Sequence, residues 1–449
     1  MSQHISICGA GLVGSLLSIF LRNKGFSVRV FEKRPDPRAT TMHAGRSINL
    51  AISQRGLRAL AEAYPELESK ALELAVPMYG REIHDIENEL KFQAYGEASQ
   101  HINSIGRGAL NKLLISTAER LGVDFHFDHT CSGYDEINKQ WIFSAVSDQE
   151  FKTEKKEILI GADGAFSVVR SFLSKSIAVQ PTVETLDYGY KELEIYAEQA
   201  THLTNQEALH IWPRARFMLI ALPNKDGSFT ATLFLPLQGD VSFDRLNSDQ
   251  AIVDFFTTYF SDALRLIPNL VEQFAAHPTS NLFTIHTSHW YNEHSLLIGD
   301  AAHALVPFYG QGMNAGFEDC RILSETIATK GTENWEEIFS EFYKQRKMNT
   351  DAISDLALKN FVEMRDHVAD ASFLLRKQIE KYLHHTLPEI FIPQYTMVSF
   401  TDVPYVDAMN AGITQDTMFK EIMNIEHIER DWPNKKLEKE VVIIAKKYL

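Results

Sequence analysis

Apolar positions along the chain follow two rhythms. Near the amino terminus Ser6 to Cys8 ends a short apolar strand, and Leu12 to Asn23 spaces its apolar side chains as one face of a helix. Gly25 suits the turn that closes that helix, and Val28 to Phe31 forms a second strand running into Glu32. Strand, helix and strand in that order predict a βαβ unit. Farther on, Leu110, Leu113, Leu114, Ala118 and Leu121 recur at i, i+3, i+4, i+8 and i+11, which predicts a helix from about Ala109 to Leu121 with Arg107 just ahead of it. Two continuous apolar runs suit strands covered on both faces. Glu157 to Gly161 leads into Ala162-Asp163-Gly164, and Leu296 to Ile298 leads into Gly299-Asp300, so each delivers an acid to a strand exit. A further helical segment begins near Gly312.

Between these segments the rhythm changes. Tyr188 to Tyr196, Ala208 to Trp212, Phe217 to Leu222 and Phe229 to Leu235 alternate or run apolar, with Asn224-Lys225-Asp226-Gly227 as a hairpin turn, predicting an antiparallel sheet. From Trp335 onward the pattern is mostly helical, interrupted at Pro388, Pro393 and Pro404. The expected fold class is α/β. A discontinuous Rossmann-like domain is expected from residues 1–75, 100–180 and 285–330, an antiparallel β-sheet domain from 76–99 and 181–284, and a C-terminal helical region over 331–449.

Length agrees with this division, since 449 residues exceed what one core usually supports. With 44 Lys and Arg against 59 Asp and Glu, the net charge of −15 argues against nucleic acid or an anionic membrane as the main partner. Cys8, Cys131 and Cys320 are too few and too scattered for a disulfide framework, and a reducing cytoplasm fits best. Ile5 to Leu21 carries no charge but is broken by Gly9, Gly11 and Gly14, and the carboxyl terminus lacks an apolar run of spanning length. No membrane anchor is expected.

Candidate chemistry begins with Gly9-Ala10-Gly11-Leu12-Val13-Gly14, which matches G-x-G-x-x-G between a predicted strand and helix, with Glu32 following the last glycine by 18 residues. Glycines there let backbone N–H groups approach a pyrophosphate at the positive helix end, while Glu32 accepts from ribose hydroxyls. Glutamate in that place repels a 2′-phosphate, favouring FAD or NAD over NADP. Asp300 precedes the glycine-lined turn Gly310-Gln311-Gly312-Met313-Asn314; it suits either a cap for the next helix or a partner for a polyhydroxylated chain such as ribityl.

A second polar set lies elsewhere. If Arg81 to Tyr95 forms a hairpin around a three-residue loop at Glu87-Asn88-Glu89, then Ile86 pairs with Leu90 and Arg81 lies opposite Tyr95. A guanidinium and a phenol converging there suit an α-amino acid carboxylate, worth roughly 1.5–3 kcal/mol per charge-assisted bond. The alternative for Arg81 is a surface or ion-pair role. Ile353, Leu356, Ala357 and Met364 make a helical stripe in which Asn360 fills the missing place, so either backbone or ligand must satisfy its amide. Tyr395 suits packing or the same site. The sequence holds no G-x-x-x-x-G-K-[ST], H-E-x-x-H or G-x-S-x-G, which removes the usual support for kinase and hydrolase readings. His286, His289 and His294 beside Glu293, and His384-His385, match no zinc spacing, and no metal is expected.

The glycine loop with Glu32, the Gly161-Ala162-Asp163-Gly164 strand exit, and Gly299-Asp300 with Gly310-Gln311-Gly312-Met313-Asn314 resemble the single-component FAD aromatic hydroxylases over roughly residues 3 to 330. Four further pieces narrow the resemblance to the kynurenine-hydroxylating members of that family across nearly the whole chain. They are Gly45-Arg46-Ser47-Ile48-Asn49-Leu50-Ala51, Tyr79-Gly80-Arg81, Lys359-Asn360-Phe361-Val362-Glu363-Met364-Arg365, and Phe391-Ile392-Pro393 with Tyr395-Thr396-Met397-Val398. The resemblance implies the architecture of para-hydroxybenzoate hydroxylase-like flavoproteins, with FAD on the Rossmann-like part and substrate against the antiparallel sheet.

It implies FAD contacts from Gly9, Gly11, Gly14, Glu32, Lys33, Arg46, Ala51, Arg107, Cys131, Asp163, Asp300, Gly312, Met313 and Asn314. Substrate contacts would come from Arg81, Tyr95, Asn360 and Tyr395, with Phe308 and Tyr309 lining the reactive face. No side chain is expected to act as catalyst, because the flavin carries the oxygen-transfer chemistry. The implied reaction is hydroxylation of L-kynurenine at ring position 3 with NADPH and O2; no second dinucleotide fingerprint appears, so NADPH would bind transiently. Eukaryotic members carry a carboxyl-terminal membrane segment, and this chain departs from them there, implying a soluble bacterial form, monomer or homodimer. Two other readings stay open: a hydroxylase for another aromatic acid such as a benzoate, and a non-catalytic binding protein on the same fold, as in prenyl-GTPase escort proteins.

Overall fold

Five parallel strands carry the glycine loop at their carboxyl ends, in the order Ser295–Leu297, Ile158–Gly161, His4–Cys8, Ser27–Phe31, Asp124–His126. The computed structural model describes residues 3–39, 49–96, 100–147, 149–176, 181–367 and 370–449. Ile5, Ile7, Leu159, Ile160, Leu296 and Leu297 are fully buried, as strands covered by helices on both faces require. The helix Leu12–Asn23 turns Leu16, Leu17 and Ile19 into that core. The helix predicted from Ala109 starts earlier, at Arg107, directly on the strand Ile102–Gly106. Periodicity could not show this, because the first apolar member of the stripe is Leu110.

A seven-stranded sheet runs in the order Ser280–His286, Thr182–Ile195, Phe229–Pro236, Met218–Pro223, Leu209–Pro213, Gly80–His84, Leu90–Ala94. Its neighbours are antiparallel except Leu209–Pro213 with Gly80–His84, which are parallel. Phe229, Ala231, Leu233 and Leu235 face one apolar cluster with Phe256 and Phe260. Phe234, on the opposite face, packs with Ile83, Met218, Phe308 and Phe361. That second face is where the sheet meets the helical region. Among the helices there, Gln394–Phe400 and Tyr405–Met423 start immediately after Pro393 and Pro404. No described helix is long and apolar enough to cross a membrane.

The hairpin carrying Arg81 differs from expectation by one residue. Its loop is Ile86-Glu87-Asn88, closed by Asp85 N–H donating to Glu89 O at 3.1 Å, and the register pairs Arg81 with Gln93 rather than with Tyr95. Asp85 causes the shift, since its Oδ1 accepts from the N–H groups of Glu87 at 3.1 Å and Glu89 at 2.7 Å, while Asn88 takes a left-handed φ of 63°. Moving the loop by one residue moves the pairing by two, so Tyr95 stays on the face of Arg81, as its diagonal neighbour. At the other end of that strand His84 Nδ1 donates to Asp262 Oδ2 at 2.8 Å and His84 Nε2 meets His210 Nδ1 at 2.9 Å. Trp212 Nε1 donates to the same Asp262 oxygen at 2.7 Å, so the strand is pinned against its neighbours.

A buried ion network joins the parallel sheet to the helices. Asp319, fully buried on the helix Gly312–Lys330, accepts from Gly299 N–H at 3.0 Å and His303 Nε2 at 2.6 Å through Oδ2, and from Arg346 Nε at 2.7 Å through Oδ1. Glu318 beside it accepts from Arg346 Nη1 and, at 2.7 Å, from Arg55 Nη1. Arg55 also donates to Val403 O and lies 4.0 Å over the Tyr405 ring. Burial opposes ionisation of both acids, but Arg346 and Arg55 outweigh it at Glu318, as His303 and Arg346 do at Asp319, holding both below the usual carboxylate range. Arg346→Met leaves two buried carboxylates short of a cation and is expected to cost about 3–5 kcal/mol. The check is the urea midpoint by circular dichroism, where an unchanged midpoint would remove the network from the account of stability.

Candidate active site

A cavity of about 820 Å³ opens where the glycine loop faces the helix Arg107–Arg120 and the antiparallel sheet. It gathers Gly9, Gly11, Glu32, Lys33, Arg107, Cys131 and Asp163, residues spread over more than 150 positions of sequence. The three loop glycines do different work. Gly9 holds φ at +105°, a Cβ on Gly14 would lie 2.0 Å from Gly9 O, and a Cβ on Gly11 would meet nothing within 4 Å. The first makes the turn, the third lets helix and strand close up, and Gly11 bares backbone to the cavity. Glu32 shapes the same loop: Oε2 accepts from Ala10 N–H at 2.9 Å and Oε1 from Arg34 N–H at 3.0 Å.

Asp163 lines this cavity, yet its carboxylate is committed to Ser167 Oγ at 2.6 Å and to the N–H groups of Val168 and Val169, capping the helix Val168–Ser176. Asp300 is the reverse case. Gly299, with φ 60°, caps the short helix Asp300–His303, no side-chain cap bond forms, and the Asp300 carboxylate stays solvent-accessible. Protein enclosing it on a larger scale pushes its pKa above the usual carboxylate value, with His303 and Arg107 pulling the other way. An acid that is accessible and yet enclosed sits in a cleft.

Twelve residues after Asp300, the helix Gly312–Lys330 starts with N–H groups that precede its first bond, Ala315 N–H to Gln311 O at 2.8 Å. A Cβ on Gly312 would meet nothing within 4 Å, so this positive helix end is open. Asn314 fastens it, donating from Nδ2 to Ala51 O at 2.9 Å and Gly310 O at 2.8 Å and accepting from Ser53 N–H at 2.9 Å. Ala51 and Met313 are thereby brought to one turn. Tyr405 Oη donates to Gln311 Oε1 at 2.9 Å from the helical region.

Arg81 is 8% exposed, and its guanidinium lies 5.5 Å over the Tyr95 ring and 5.1 Å over the Tyr395 ring. Tyr395 stacks on Tyr95 at 5.7 Å and on Tyr309 at 5.5 Å, so three phenols line up beside one cation. Burial pushes the Tyr95 and Tyr309 phenols up, keeping both protonated and able to donate. Among the described residues Arg81 forms no ion pair, and its buried Nε has no hydrogen-bond partner. Tyr309, Asn360 and Tyr395 also line a second cavity, of about 810 Å³, together with Glu363 and Gln394. The Asn360 amide is settled by backbone on its donor side: Nδ2 bonds Phe308 O at 2.7 Å. It thus ties the helix Trp335–Val362 to the turn Pro307–Tyr309, where Phe308 stacks on Phe361 at 4.1 Å.

Arg46 lies outside the described residues. Gly14 is packed against Gly9 and Ala162 and does not line the cavity, and the others divide between the first cavity, the open helix end with Asp300, and the Arg81 pocket. Sequence reading missed Asn49, which lines the first cavity. Its Nδ2 is fixed by Ser104 Oγ at 3.1 Å and Pro223 O at 2.9 Å, which leaves a buried, unpartnered Oδ1. Asn111 lines the same cavity with a buried, unpartnered Oδ1 of its own. Orphaned acceptors, an open glycine backbone, an uncommitted acid and a bare helix end fit a long ligand rich in hydroxyl and N–H donors with an anionic middle, which is the chemistry of FAD.

Comparison with known proteins gives the same direction. The family described as FAD binding domain matches residues 2–353. The kynurenine 3-monooxygenase of Cytophaga hutchinsonii is 65% identical over 449 residues, covering all of both chains. That of Myxococcus xanthus is 46% identical over 422 residues, covering 93% of this chain and 90% of its own. Among solved structures, 2-methyl-3-hydroxypyridine-5-carboxylic acid oxygenase superposes with a TM-score of 0.66 at 19% identity, over 83% of this chain and 95% of that one. The chain belongs to the FAD-binding-domain family and, within it, to the kynurenine 3-monooxygenases.

Proposed function

We propose that this protein hydroxylates L-kynurenine at ring position 3, using NADPH and O2 and giving 3-hydroxy-L-kynurenine. The observation that carries the substrate is Arg81, a buried cation among phenol rings that forms no ion pair among the described residues. Burying an unpaired charge costs several kcal/mol, and a ligand carboxylate removes that cost. Kynurenine offers a carboxylate at one end and an aniline ring at the other. Phe308 and Phe361, stacked with Phe234 4.9 Å from Phe308, supply an apolar wall for the ring and keep water from it.

When bound, FAD supplies the electron transfer and oxygen activation that no side chain of this chain provides. Gly9, Gly11 and Gly14 would take its pyrophosphate, Glu32 with Lys33 and Cys131 the adenosine end, and Arg107 and Asp163 the middle of the cavity. Asp300 would hold the ribityl hydroxyls. Ala51 with the N–H groups of Gly312, Met313 and Asn314 would hold the pyrimidine edge, where the positive helix end favours negative charge. Transient NADPH binding and a cytoplasmic location belong to the same reading.

A purified yellow protein whose NADPH oxidation rises on adding L-kynurenine, with 3-hydroxy-L-kynurenine found by chromatography, is the expected result; a response to benzoates alone would overturn the substrate. Arg81→Ala should weaken L-kynurenine binding about 10- to 100-fold, the size of a charge-assisted hydrogen bond, with the flavin content unchanged. Titration of the flavin spectrum with substrate reads both, and unaltered affinity would take Arg81 out of the site. Asp300→Ala should lose flavin on gel filtration, and full retention of the flavin absorbance would refute its ribityl role.

A further inference from the structure

A kynurenine-type substrate carries its carboxylate and an ammonium on one carbon, so the wall that holds Arg81 must also meet a positive charge. We infer that Glu363 receives the α-ammonium and makes the site selective for α-amino acids over otherwise identical acids without the amine. This rests on the substrate reading above. Glu363 follows Asn360 by three positions, a spacing that puts both on one side of the helix, and it begins the wider π-helical turn Glu363–His367. It lines the second cavity with Tyr309, Asn360 and Tyr395.

Two other acids of this cavity are held by cations. Glu380 is held by Arg376 at 3.0 Å and Lys377 at 2.9 Å, and Asp416 by Lys359 at 2.6 Å and Arg376 at 2.7 Å. Burial keeps the Tyr95 and Tyr309 phenols neutral, and the Asn360 Nδ2 donates to Phe308 O. Among the described residues no cation comes within ion-pair distance of Glu363. Its charge is nonetheless felt where the substrate head would lie, for it acts on Arg81 and on Tyr309. Lys377, which also feels it, is committed to Glu380. A cation on one side of Tyr395 and an acid in the cavity that Tyr395 lines form the complement of a zwitterion.

The test uses FAD-loaded enzyme and two ligands, L-kynurenine and 4-(2-aminophenyl)-4-oxobutanoate, which lacks only the α-amine, with dissociation constants read from the flavin spectrum. Wild type should prefer L-kynurenine by about tenfold or more, and Glu363→Gln should erase that preference while holding the analogue within about twofold. Equal weakening of both ligands, or no change for either, overturns the assignment. Should Glu363→Gln fail to load FAD, the wild-type ratio decides, and equal affinity for the two ligands overturns it. A wild type that binds neither ligand overturns the substrate reading, and the role of Glu363 with it.

Discussion

Asp319 holds the site together by holding backbone and cation at once. One of its oxygens takes the Gly299 N–H and His303, the other takes Arg346, so the strand exit that presents Asp300 is tethered to the helix that begins at Gly312. Arg346 and Arg55 extend the tether through Glu318 to the helices beyond. Each member is buried, so none tolerates loss of its partner. Rigidity of this kind is what a flavin site needs, because a strand end and a helix end must face one planar group from different directions.

The architecture divides labour between surfaces of unlike chemistry. Glycine-bared backbone and scattered polar atoms of the first cavity suit a long cofactor that binds through many modest contacts. The Arg81 pocket concentrates its energy in a single charge set among ring faces. Sheet strand Gly80–His84 is anchored through His84 and Asp262 and carries Arg81 toward the helical region. The helical region is more than a lid, as Tyr405 reaches Gln311 at the start of the helix Gly312–Lys330.

What could be read in advance was local in sequence. Gly9 to Gly14, the Asp300 strand exit and the Gly312 helix start each lie within a few residues of the pattern that gives them meaning, and the structure shows the strand ends and helix starts there. The misplaced hairpin loop shows where locality ends: three apolar and polar alternations fitted two registers, and Asp85 chose between them through two backbone bonds that composition does not display. Asn49 was illegible because its amide is oriented by Ser104 and Pro223, 55 and 174 positions away. Asp163 looked like Asp300 in sequence, yet one caps a helix and the other does not; the difference lies in the length of the turn that follows. Glu318 and Asp319 sit on a helix of mixed apolar and polar residues, where single-sequence periodicity treats them as exposed.

The bond from Asn360 to the Phe308 carbonyl has a consequence for regiochemistry. It joins the helix Trp335–Val362 to the turn Pro307–Tyr309, so the span between the two is set by covalent structure and one hydrogen bond rather than by a ligand. The pocket therefore works as a ruler. On the proposed reading, a substrate anchored at Arg81 would bring one ring carbon to the flavin, and the position oxidised would follow from a distance built into the protein rather than from a side chain that selects it.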